Sequence, residues 1–216
     1  MVEVRGEPPL GLRERKKQRT RATLIDAAVE LCDRQGFERT TVDQIAAVAD
    51  VSPRTFSRYF ATKDAIALAL IDDAIDLAAD ELARQPTDIN HFEALRRAYV
   101  AMYTSTKAAR PGELSADRMM CTVRIIMTSP TLRQAALEYR PHAVNAALSK
   151  RLQIDVDSRR TKLIAAVWGS IIMTALADLF DDGVDWAQIG IDDIVTRLEA
   201  TFAEFIGEIS EVGQPV

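Results

Sequence analysis

Apolar residues recur along the chain at three- and four-residue steps, and strand-like alternation of apolar and polar positions is nearly absent. This periodicity predicts an all-α protein in which each helix buries one stripe. Breaks fall at Gly36, Asp50-Val51, Ala61, Gln85-Pro86, Arg110-Pro111-Gly112, Ser129-Pro130, Asp155 to Ser158 and Asp181-Asp182-Gly183, leaving about nine helices. Residues 1–10, with Gly6, Pro8 and Pro9, read as a flexible tail.

The first three helices are short and closely spaced, which suits a compact head. Helix one carries Leu24, Ala27, Ala28, Leu31 and Cys32 on one face and stops at Gly36, after which Phe37 packs back on its end. Helix two opens with Thr41-Val42-Asp43-Gln44, a capping box in which Thr41 caps the Gln44 amide and Gln44 reaches back. Ile45 and Val48 then face inward. A turn at Ala49-Asp50-Val51 leads to Ser52-Pro53, an N-cap followed by proline in the first helical turn, so helix three runs from Pro53 to about Tyr59. Two helices joined by so short a turn form the layout of a helix-turn-helix, whose second helix lies in the major groove of DNA.

Charge first argues against that reading. The net charge is −5, and phosphate binding needs Lys and Arg. Dividing the chain changes the picture: residues 1–62 hold 11 Lys and Arg against 9 Asp and Glu, and Arg13 to Arg21 holds six basic residues with only Glu14 opposing them. A basic head on an acidic body keeps nucleic acid in play.

Helix three reads Ser52-Pro53-Arg54-Thr55-Phe56-Ser57-Arg58-Tyr59-Phe60. Phe56 and Phe60, four apart, anchor it to the other two helices. Ser52, Arg54, Thr55, Ser57 and Arg58 then offer hydroxyls and guanidinium forks to base edges, arginine to guanine being the commonest specific contact. Tyr59 and Lys63 are placed as phosphate clamps, Lys63 near the start of helix four, where Thr62 can cap. Arg13, Arg15, Lys16 and Lys17 read either as an arm that crosses the backbone or enters the minor groove, or as a solvated helix end.

The run Gly36 to Ala46 followed by Val51 to Asp64 resembles the N-terminal domain of TetR-family transcriptional regulators, over roughly residues 14–72. The glycine stop, the Thr40-Thr41-Val42 start, the Tyr59-Phe60 pair and Lys63 carry the resemblance together. It implies a homodimer with a three-helix DNA-binding head and a helical C-terminal domain that binds a small effector and releases DNA. Thr41 and Tyr59 match positions that touch phosphates, Lys63 matches the helix-four phosphate contact, and Arg54, Thr55 and Arg58 fall on the recognition helix. Three positions depart from the pattern: Asp50 replaces the usual turn glycine, Arg54 a frequent glycine and Ser57 a frequent aromatic. Base preferences therefore do not transfer from other members.

Beyond the head, Leu163 to Ala177 is apolar on every face, so it must be buried all round. The last helix repeats Ile191, Ile194, Val195, Leu198, Phe202, Phe205 and Ile209. Two such helices per subunit form a four-helix dimer interface, with Gly169, Ile172, Ile194, Leu198, Phe202 and Phe205 as its candidate residues, or else complete a monomer core. Five of the six methionines lie beyond residue 100, and methionine fills adaptable cavities. The candidate effector pocket comprises Phe92, Tyr99, Met102, Tyr103, Met120, Cys121, Met127 and Trp168. Pro141 interrupts a helical run from Thr131 to Leu152, either kinking it beside the pocket or ending it.

Other chemistry lacks support. Cys32 and Cys121 are isolated, His91 and His142 lack ligand spacing, and Asp178, Asp181, Asp182 and Asp185 lack the closing glutamate of a calcium loop, so no metal or cofactor is expected. No phosphate loop or nucleophile elbow occurs, which argues against an enzyme. The polar, basic start holds no signal-peptide core, and the longest uncharged stretch, 15 residues, is short for a membrane span, so a soluble cytoplasmic protein is expected. The expected organisation is a tail over 1–12, a DNA-binding domain over 13–62 and an effector and dimerisation domain over 63–216. The function expected is a repressor released from a pseudo-palindromic operator by a small, mostly apolar effector. The alternative is a ligand-binding helical dimer that activates or carries a vestigial head.

Overall fold

The computed structural model describes residues 11–110, 113–129, 132–134, 142–179 and 188–211, and among them it is helical without a strand. The helices are α1 (Leu12–Gln35), α2 (Val42–Val48), α3 (Pro53–Tyr59), α4 (Lys63–Arg84), α5 (His91–Ser105), α6 (Ala116–Thr128), α7 (His142–Leu152), α8 (Arg159–Ala177) and α9 (Ile191–Glu211), with a 3-10 turn at Thr106–Ala108 after α5. The chain divides into two compact units, Met1–Ile66 and Ala67–Val216. The first ten residues, Pro141 and the acidic positions Asp181, Asp182 and Asp185 lie outside the described residues.

In the first unit, α1 packs on α2 and α2 on α3 around Leu24, Ile25, Ile45, Ala46, Phe56 and Ile66, all essentially solvent-free. Local chemistry sets the element ends. The Thr41 hydroxyl accepts from the Gln44 amide at 3.3 Å, and the Gln44 side chain returns the bond to the Thr41 amide at 3.0 Å. Gln35 of α1 donates to the same Gln44 oxygen, tying the box to the preceding helix. Gly36 ends α1 with φ 82° and ψ 152°, a region of backbone space that is essentially glycine-only. Asp50 takes φ 52° in the turn, as the missing glycine requires. Val48 does not face inward: it is 43% exposed, and Ala46 and Ala49 fill the interior beside Ile45. A seven-residue helix has room for one narrow buried stripe, and Val48 falls off it.

The second unit is a helical bundle in which α9 packs on α8 and α5, and α8 also meets α6 and α7. Its aromatic centre links Tyr99, Trp168, Phe202, Phe205 and Phe92 through ring contacts of 5.3–6.4 Å. Arg96 of α5 bonds Glu93 on its own helix and Glu199 of α9, and Arg151 of α7 caps the carbonyls of Gln85, Pro86 and Ile89. Helix α8 has the length and composition to cross a membrane. Within the protomer one of its faces is buried: Thr161, Ile164, Trp168, Ile171, Ala175 and Leu176 enter the unit's core. The protomer alone covers only that face, and Leu163 is 61% exposed on the outer one.

Candidate nucleic-acid interface and ligand cavity

Helix α3 begins where Ser52 accepts the Thr55 amide at 3.1 Å and Pro53 occupies the first turn. Phe56 and Phe60 lie side by side, 5.9 Å between ring centroids, and are buried. That anchor turns Arg54, Ser57 and Arg58 outward. The hydroxyls of Ser52 and Thr55 pair at 3.0 Å and Ser57 donates to the Pro53 carbonyl, so all three are oriented by the helix itself. Arg54 is exposed and has no polar partner among the described residues.

Arg58 behaves differently from Arg54. Its guanidinium lies 5.2 Å over the Tyr59 ring and reaches the phenol at 3.5 Å. The Tyr59 phenol is held below the usual tyrosine range, first by its hydrogen bond with Thr20 of α1, then by Arg58 and the charge of Lys17. The basic segment is thus not an extended arm, because Arg13, Arg15, Lys16 and Lys17 all belong to the first turns of α1. At 100° per residue Arg13 and Lys17 share the face of Thr20, while Arg15 points to the opposite side. Lys63 reaches back into the head. Its ammonium donates to the carbonyls of Phe37 and Glu38 at 3.0 and 3.1 Å and sits 4.7 Å over the Phe37 ring. Two of its three protons fasten the turn after Gly36, and the Glu38 carboxylate lies 4.0 Å from the same ammonium. Thr62 caps α4 through the Ala65 amide.

The second unit encloses a cavity of about 750 Å³ between α4, α5, α6, α7 and α8. Tyr99, Met102, Tyr103 and Trp168 line it. The other four expected pocket residues do not: Cys121 and Met127 are buried elsewhere in α6, Met120 packs against the core, and Phe92 stacks between His91 and Phe205. Periodicity missed Ile71, Ala74 and Ile75 of α4, Thr122, Val123 and Ile126 of α6, and Asn145 of α7. Burial pushes the phenols of Tyr99 and Tyr103 upward, and Tyr99 further opposes the ionisation of Tyr103. The Asn145 side-chain oxygen and the Trp168 indole N–H are buried without a partner at hydrogen-bond geometry, although the indole approaches the Tyr99 phenol. Among the described residues no group of His, Cys, Asp and Glu is arranged to hold a metal.

The candidate dimer residues separate into two sets. Ile194, Leu198 and Phe202 are 1%, 1% and 8% exposed and belong to the protomer's own core. Gly169 and Ile172 border the cavity, and Phe205 packs on Phe92 and Phe202. The exposed positions are instead Leu163, Ala166, Ser170, Thr174 and Ala177 on α8 and Thr196, Ala200, Ala203 and Gly207 on α9. A three- and four-residue repeat reveals an apolar stripe but not which body covers it.

Residues 24–70 match the pattern of the bacterial regulatory proteins of the TetR family. The HTH-type transcriptional regulator TcmR of Streptomyces glaucescens is 36% identical over 171 residues, covering 74% of this chain and 73% of that one. The chain belongs to the TetR family. The regulator is also 31% identical over 123 residues to HbdR of Aromatoleum sp. (strain CIB), across 46% of its own length and 54% of HbdR. Among solved structures, the complex of SmeT with triclosan has a similar fold, with TM-score 0.54, 19% identity and coverage of 86% and 91% of the two chains. A further structure of SmeT, the repressor of the Stenotrophomonas maltophilia multidrug efflux pump SmeDEF, aligns with TM-score 0.53 and 19% identity over 85% and 89%.

Proposed function

We propose that this TetR-family regulator is a cytoplasmic, homodimeric repressor that binds a pseudo-palindromic operator and leaves it when a small, mostly apolar molecule fills the cavity. The observation that carries the reading is α3, a helix pinned by Phe56 and Phe60 whose outer face is Arg54, Ser57 and Arg58. Arg54 reads base edges, with Ser52, Thr55 and Ser57 alongside it. Arg58 and Tyr59, joined to Thr20 and Lys17, contact phosphate, as do Thr41 and Lys63.

Dimerisation uses the outer faces of α8 and α9. Their small residues let backbones approach closely, and Leu163, Ile206 and Ile209, exposed at 61%, 38% and 45%, gain cover there. Two-fold symmetry then sets two α3 helices at half-sites one DNA turn apart, ~34–36 Å. Helix α4 contributes Ile71, Ala74 and Ile75 to the cavity and begins at Lys63 in the head unit, so a ligand that displaces it biases the half-site spacing.

A gel-shift with DNA flanking the regulator's own gene, at fixed salt, tests this. The wild type retards a specific fragment, an effector releases it, and Arg54→Ala with Arg58→Ala loses selectivity. Selective binding by the double variant would overturn the assignment, and tighter binding with effector would overturn the repressor mechanism.

A further inference from the structure

The polar groups on the cavity wall are unbalanced in a way that defines a ligand. Thr122 donates to the Arg118 carbonyl at 2.7 Å and Ser170 to the Ala166 carbonyl at 3.0 Å, so neither hydroxyl proton is free. The Trp168 indole N–H has no partner at hydrogen-bond geometry, and the Tyr99 O–H has no acceptor among the described residues. The Tyr103 O–H has no acceptor among the described residues, and Asn145, whose side-chain oxygen is unpartnered, bonds neither phenol. Two neighbouring phenols therefore line a largely apolar space as donors without an acceptor among the described residues. A ligand that seals these two hydroxyls from water without supplying an acceptor would leave buried donors unmet, which is costly, whereas one that supplies an acceptor avoids that cost.

Charge narrows the class further. Among the described residues no Asp, Glu or His lines the cavity, and the one charged lining residue, Lys162, is 46% exposed and paired with Asp157 at 3.2 Å. A cation would lose its hydration with no counter-charge, and an anion would meet only a half-exposed, already paired ammonium. A volume of about 750 Å³ lies within the range of drug-sized sites.

We infer that the cavity selects an uncharged, drug-sized apolar molecule whose carbonyl oxygen accepts hydrogen bonds from Tyr99 and Tyr103. This rests on the cavity being the effector site proposed above.

Two neutral fluorescent naphthalenes provide the test on the full-length protein. 6-Propionyl-2-dimethylaminonaphthalene carries a ketone, and N-phenyl-1-naphthylamine has no oxygen. Both bind the wild type, and Tyr103→Phe raises the Kd of the ketone by about 5–10-fold while leaving the amine within about twofold. The cation ethidium does not bind. Equal weakening of both naphthalenes, no weakening of the ketone, or ethidium binding as tightly as the ketone would overturn the inference. Ala165→Phe, which fills the cavity, separates that result from failure of the site itself. If both naphthalenes bind Ala165→Phe unchanged, or if neither binds the wild type, the cavity is not the effector site.

Discussion

Replacing Lys17 by glutamine removes one positive charge from the face of α1 that carries Thr20, and two from a homodimer. In the free protein this residue has little structural duty. Its only ion pair, with Glu14, is 3.8 Å long with both side chains exposed, a kind of pair that contributes about 0–1 kcal/mol. On DNA its duty is larger, because each phosphate neutralised contributes about 0.9 to the slope of log affinity against log salt. Two lost contacts make the slope shallower by about 1.8, so between 50 and 200 mM salt the wild type loses about twelvefold more affinity than the variant. Fluorescence anisotropy with a labelled operator at four salt concentrations measures both slopes. Arg15→Gln removes the same charge from the opposite side of α1 and should leave the slope within about 0.3 of the wild-type value. Equal slopes for Lys17→Gln and the wild type, or equal changes in both variants, would refute the placement of this face against the duplex.

Other consequences follow from the geometry. Gly36→Ala forces a side chain into φ 82°, ψ 152° with no steric neighbour within 4 Å, so its cost is backbone strain alone, about 1–3 kcal/mol; denaturant unfolding that matches the wild type would remove the argument. The Glu93 carboxyl is lowered to about 2 by its bonds to Arg96 and then Arg97. A lowered value means the ionised form adds stability above the usual 4.5, and this is lost as pH falls toward 2. Glu93→Gln is therefore less stable by about 1–3 kcal/mol at pH 7, and calorimetry should show the gap closing below pH 3. Ala203→Arg places a charge on the outer stripe of α9 and should sediment as a monomer at concentrations where the wild type is a dimer; an unchanged sedimentation coefficient would move the interface elsewhere. Ser52→Ala removes the α3 cap and should lower stability by about 1 kcal/mol, with urea denaturation as the check.

The head was largely legible in the sequence because caps are local. Thr41, Gln44, Ser52, Pro53 and Gly36 each satisfy or release backbone groups within a few residues, so their identities place α1 to α3 without knowledge of the rest. The orientation of Val48 was not legible, since a two-turn helix gives periodicity too little length to distinguish its faces. The body was legible as helices but not as surfaces. Ile194, Leu198 and Phe202 mark a stripe that any apolar neighbour could cover, and the neighbours turned out to be α8 and α5. The cavity was readable only in part, at Tyr99, Met102, Tyr103 and Trp168. A cavity is space that five helices fail to fill, and small residues such as Ala74 and Ala165 that create it leave no mark in a hydrophobic pattern.

Trp168 sits at the junction of the cavity wall and the aromatic chain that runs to Phe205, with its indole buried. The chain has two tryptophans, the other being Trp186. A Trp186→Phe variant would leave a single intrinsic fluorophore against the cavity. Its emission would then shift or quench when a compound enters, which would allow a compound library to be sorted optically, without labels and before any operator is known.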